Sequence, residues 1–240
     1  MKISLIKSLN HSKKKRNISK IDFIIIHYTG MQSKRASIER LTSKKHQVST
    51  HYLIDRAGKT IKMIDEKKIA WHAGKSKWKN FKNLNNNSIG IELVNKGHRL
   101  GYQKFSKKQI DQLVKLCRLL QKKFKIPKSC ILGHSDIAPP RKIDPGEKFP
   151  WFDLSKKGIG IWYPSIKKNL ITFDEKKNRK NFFKNLTKIG YRYFSDKKFS
   201  SRNVKVIKAF QRRFLQNQID GKIDQKAYII SQFLAKKFNN

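Results

Sequence analysis

Apolar positions along the chain change their period several times, and each change marks an element. Ile21 to Tyr28 reads IDFIIIHY, a β-branched and aromatic run that predicts a buried strand ended by Thr29-Gly30. Ser37 to Thr42 suits a short helix. Thr50 to Asp55 alternates, Arg56 to Lys59 is turn-like, and Thr60 to Ile64 answers as the second arm of a hairpin. A polar loop, Asn83 to Asn87, leads into the strand Ser88 to Val94. Beyond the N-cap candidate Ser106, the residues Ile110, Leu113, Val114, Cys117, Leu120 and Phe124 recur at helical spacing until Pro127. Cys130 to Gly133 is a short strand, and the proline-rich stretch from His134 to Trp151 an ordered loop. Strands and helices intermix, so the class is α/β. The pattern changes around Tyr163-Pro164. From there Phe182 to Ile189, Ser201 to Phe214 and Gln225 to Phe238 predict a three-helix module. The organisation expected is a basic extension over 1–19, a main domain over 20–165, a linker over 166–177 and the helical module over 178–240.

Charge changes this picture less than its size suggests. The net charge is +41 over 240 residues. It is spread over both parts, with 37 basic against 11 acidic residues in 1–165 and 20 against 5 in the rest. A nucleic-acid binder concentrates its charge on an arm or stripe, and neither a helix-turn-helix nor zinc-finger spacing is present, so no nucleic-acid partner is expected. Abundant Lys, Asn and Ile point to compositional drift, although a diffuse positive field also favours an anionic polymer. No apolar run has the length of a signal peptide or a membrane span. The reading is therefore a soluble protein made in the cytoplasm; a monomer is expected. Cys117 falls on the apolar helix face and Cys130 opens a strand, which fits two small buried side chains.

Candidate chemistry gathers at strand ends. His27 ends one strand, His134 a second, and Asp144 follows ten residues later. Two imidazoles and a carboxylate make a three-ligand metal site with an open position for water. Spacing alone leaves Asp136 as a rival for Asp144. Glu92 interrupts an apolar strand on the parity opposite Ile89, Ile91 and Leu93. It is either an exposed position or a general base. Lys142, two residues before Asp144, is either a surface lysine or a stabiliser of a developing oxyanion. Trp71 and His72, in AWHAG, either line a sugar or peptide pocket or pack in the core.

The blocks HYTG (27–30), THYLID (50–55), AWHAG (70–74), NSIGIEL (87–93) and GHSDIAPPRKIDPGEKFPW (133–151) together resemble the type 2 N-acetylmuramoyl-L-alanine amidases, nearest the AmpD/AmiD branch. The resemblance covers about 20–165. It implies a central mixed sheet flanked by helices and one Zn2+ held by His27, His134 and Asp144, so that Asp136 is not a ligand. It further implies that Glu92 is the catalytic glutamate, that Lys142 assists it, and that the substrate is peptidoglycan or a muropeptide. The candidates for substrate binding are His51, Trp71 and His72. A non-catalytic peptidoglycan sensor on the same fold is the alternative. The tail, with VIKAFQRRF (206–214) and IDGKID (219–224), is similar to a type 1 peptidoglycan-binding domain. It is expected to act as a tether to the wall, which suggests a periplasmic or outer-membrane location instead of the cytoplasm.

Overall fold

The computed structural model describes residues 2–166, 174–195 and 197–238. Its centre is a six-stranded mixed sheet. The strands are β1 (Ile3–Leu5), β3 (Phe23–Tyr28), β4 (Tyr52–Ile54), β5 (Thr60–Lys62), β9 (Ser88–Leu93) and β10 (Ile131–Gly133), in the order β1-β5-β4-β9-β3-β10. Only the β4–β5 hairpin is antiparallel; the other four pairs are parallel. Two ribbons flank it: β2 (His11–Lys15) with β6 (Lys68–Ala70), and β7 (Lys77–Trp78) with β8 (Phe81–Lys82).

Strand periodicity assigns the two faces. Ile24, Ile26, Ile89, Ile91 and Leu93 share one face and pack on Leu113, Leu116, Cys117 and Leu120 of α2 (Lys107–Phe124). The Ser106 hydroxyl caps α2 by accepting from the Gln109 N–H at 3.1 Å. Phe23, Ile25 and Leu132 take the opposite face. α1 (Lys34–Thr42) lies near the sheet edge, its Leu41 buried with Leu53 and Ile61. The helices α3 (His134–Ile137) and α4 (Trp151–Lys156) punctuate the region expected as a loop.

The N-terminal segment is part of the sheet system. β1 pairs with β5, and Arg16 donates to the carbonyls of Glu66 (2.8 Å) and Ser88 (2.7 Å). Burial accordingly lowers the Arg16 pKa to about 10. The helical region comprises α5 (Glu175–Ile189), α6 (Ser201–Phe214) and α7 (Gln225–Lys237). Of the linker expected over 166–177, residues 167–173 lie outside the described residues. The three helices are not held apart as a tether would be. Phe182, Leu186, Tyr191, Phe210 and Phe214 join Phe23, Ile25, Trp78 and Leu132 in one continuous core. Gly190 marks the junction. The Lys79 N–H donates to its carbonyl at 2.8 Å, and a β-carbon there would run into the Trp78 ring.

Candidate metal centre and cleft

Register brings the chemistry together. β3 lies between β10 and β9, with Gly133 opposite Ile26 and His27 opposite Glu92. Paired residues of parallel strands point the same way, so His27 and Glu92 share a face. His134, one residue beyond β10, opens α3 beside His27. Asp144 returns from the following loop, where its carbonyl accepts from the Ser135 N–H at 2.8 Å. Three atoms converge: His27 Nδ1 to His134 Nδ1 is 2.9 Å, and each nitrogen lies 3.1 Å from Asp144 Oδ2. All three residues are buried.

Hydrogen bonds on the far sides of the rings fix what those atoms are. Nε2 of His134 donates to the Ala73 carbonyl at 3.1 Å, which leaves its Nδ1 a lone pair. The Ser88 hydroxyl donates to the Leu84 carbonyl, so it accepts from His72 Nε2 at 3.2 Å. His72 Nδ1 then accepts from His27 Nε2 at 3.0 Å, and His27 Nδ1 is bare as well. Two lone pairs and a carboxylate oxygen facing one another could hold a cation between them. Burial and then the neighbouring His134 lower the His27 pKa to about 4, which favours its neutral, ligating form. The donor set of two imidazoles and one carboxylate suits a divalent metal.

Around this centre a cleft of about 550 Å³ opens. Glu92 and Lys142 line it, and so do Trp71 and His72. Burial, and then the charge of Asp144, raise the Glu92 pKa to about 8 against the pull of Lys142. Glu92 Oε2 is enclosed and hydrogen-bonds to no described residue. The Lys142 ammonium likewise has no hydrogen-bond partner among the described residues. Arg40, Lys96, Arg99 and Arg141 add further positive charge to the walls.

His51, expected among the substrate-binding residues, is placed elsewhere. It is fully enclosed behind the cleft, where its Nδ1 accepts from the Gly90 N–H at 3.0 Å and its Nε2 donates to the Lys68 carbonyl at 3.1 Å. Asp136 also points away from the metal centre, towards the helical region. The supporting shell formed by Ser88 and the carbonyls of Leu84 and Ala73 was not anticipated. The clue to it was Gly90 in an otherwise bulky strand. A β-carbon there would lie 2.5 Å from Cγ of His72, so the glycine makes room for that ring.

The sequence pattern described as N-acetylmuramoyl-L-alanine amidase matches residues 17–147. The N-acetylmuramoyl-L-alanine amidase AmiD of Escherichia coli (strain K12) is 32% identical over 234 residues, spanning 91% of this chain and 84% of AmiD. The solved complex of AmiD from E. coli with the substrate anhydro-N-acetylmuramic acid-L-Ala-D-gamma-Glu-L-Lys superposes with a TM-score of 0.81 at 30% identity, covering 94% of this chain and 92% of the other. AmpDh3 from Pseudomonas aeruginosa, in complex with anhydromuramic pentapeptide, also gives 0.81, at 27% identity and 95% and 94% coverage.

Proposed function

The chain belongs to the N-acetylmuramoyl-L-alanine amidase family, and from that premise we propose that it hydrolyses the amide between N-acetylmuramic acid, or its 1,6-anhydro form, and L-alanine in peptidoglycan recycling. The observation that carries this reading is the convergence of His27, His134 and Asp144 at the floor of a cleft that Glu92 and Lys142 also line. The metal is zinc, which these ligands suit by type and number. When bound, zinc polarises a carbonyl and brings the pKa of water to ~7.

The side chains supply the rest. Glu92 accepts the proton of the attacking water at its unpartnered Oε2 and returns it to the leaving nitrogen. A carboxylate raised to about 8 is well matched to that exchange, and a nearby dication shifts it towards the ionised form needed at the start. Lys142 places its free ammonium where negative charge develops on the carbonyl oxygen. Trp71 and the basic wall hold the sugar and the carboxylates of the stem peptide. The helical region serves wall binding, in keeping with its likeness to peptidoglycan-binding domains. No described helix is long and apolar enough to cross a membrane. Wall binding by the helical region places the enzyme in the periplasm or at the outer membrane. Elemental analysis tests the metal assignment: one zinc per chain is expected, with activity lost on chelation and restored by zinc. Full activity in zinc-free protein would refute it.

A further inference from the structure

Asp136 has no part in the chemistry above, yet it is among the most enclosed charges in the chain, at 1% exposure. Its carboxylate accepts from three donors. The Gly133 N–H at the start of α3 lies at 2.8 Å, the Tyr191 hydroxyl at 2.7 Å and Arg213 Nη1 at 2.5 Å. Arg213 is itself 2% exposed. Its Nη2 donates to the Ile131 carbonyl of β10 at 3.0 Å, and its guanidinium stacks over Trp151 at 4.1 Å. Two side chains of the helical region thus grip the chain on both sides of His134: the strand before it and the turn after it.

That grip is expensive for mere adhesion. Arg213 Nε is buried without a hydrogen-bond partner among the described residues, and a buried ion pair gives up hydration that apolar filler would not. The surrounding core of Ile137, Tyr191, Phe210 and Phe214 already supplies apolar contact. What filler lacks is directional restraint. α3 is a single turn of four residues, too short to hold its own geometry, and it carries a metal-ligating residue at its first position.

We propose that Arg213 and Tyr191 are positioning residues for the metal centre, acting through Asp136 to hold α3 so that His134 Nδ1 stays aimed at His27 and Asp144. The helical region is thereby part of the catalytic unit. This rests on the reading of His134 as a metal ligand.

The test uses the full chain carrying Arg213→Met, Arg213→Lys or Tyr191→Phe. The readouts are the rate of zinc loss to a chromophoric chelator and the visible spectrum of cobalt(II)-substituted protein. Gln216→Ala is the control. It removes another bond between the two regions, to the Phe149 carbonyl at 2.6 Å, without touching Asp136. Arg213→Met should release zinc ~10–100-fold faster and alter the cobalt spectrum, in the range of other supporting-shell losses. Arg213→Lys should recover part of this, Tyr191→Phe should show a smaller change of the same kind, and Gln216→Ala should show none. Unchanged release and spectrum in folded Arg213→Met would overturn the proposal, and so would equal changes in the control. If Arg213→Met does not fold, unchanged release in Tyr191→Phe overturns it. A wild-type chain that binds no zinc would sink the ligand assignment itself, which is a separate failure.

Discussion

Gly90→Ala adds one methyl group at the most crowded point of the metal's supporting shell. The strand conformation at Gly90 suits alanine, so only space is at issue. The new carbon would sit 2.5 Å from His72 Cγ, whereas ordinary contact begins at 3.4 Å, so the ring must retreat by about 0.9 Å. A retreat of that size along its bond would take the 3.0 Å contact between His72 Nδ1 and His27 Nε2 to nearly 4 Å, beyond hydrogen bonding. His72 is buried and cannot swing freely, so overpacking should also cost ~1–3 kcal/mol of stability. The larger effect should fall on the metal. His27 loses the acceptor that fixes its tautomer, and such losses weaken metal affinity by ~10–100-fold. Zinc affinity measured by competition with a chelator, beside thermal melting, separates the two effects. A variant that melts lower but holds zinc as tightly as the parent would refute the assignment of His72 as the support of His27.

Three further outcomes are expected. Glu92→Gln should keep its zinc and lose ~10²–10⁴-fold in kcat, since it preserves shape and removes the base; near-normal turnover would make Glu92 structural. Metal-free protein should lose stability as pH falls below ~6.5, the ordinary histidine value. The buried His27 (about 4), His51 (about 3) and His72 (lowered well below the ordinary value by burial) stay neutral in the fold while the unfolded chain takes up protons. Melting temperatures that are flat or rising between neutrality and pH 5 would contradict this. Removal of everything after residue 166 should lower the melting temperature sharply and promote aggregation, because Phe23, Ile25 and Trp78 would lose their cover; an unchanged melting temperature would restore the simple tether.

Much of the site was legible because it obeys period-two alternation. Parity in SIGIELV separated Glu92 from the buried isoleucines, and β9 keeps that separation, with Glu92 beside His27. Ser106 and Pro127 bracketed α2 closely, since caps and prolines act locally. Less visible were features that depend on partners distant in sequence. β1 is three residues long, two of them exposed large apolar residues, and exists because β5 offers an edge. Arg16 reads as one more residue of a basic run, yet it ties the segments around Glu66 and Ser88 together. His51 carries no local sign of its enclosure. The seat of the helical region on the sheet follows from Trp78, Tyr191 and Arg213, which are scattered over more than a hundred positions.

The reaction proposed breaks one bond, the amide between muramic acid and L-alanine. Mass spectrometry of the products formed from a purified anhydro-muropeptide and from intact sacculi tests it most directly, with chelator and zinc-restored arms. A free stem peptide with L-alanine at its new amino terminus and an intact muramic residue is expected, absent with chelator and regained with zinc. Cleavage within the peptide or the glycan, or cleavage indifferent to chelation, would contradict it.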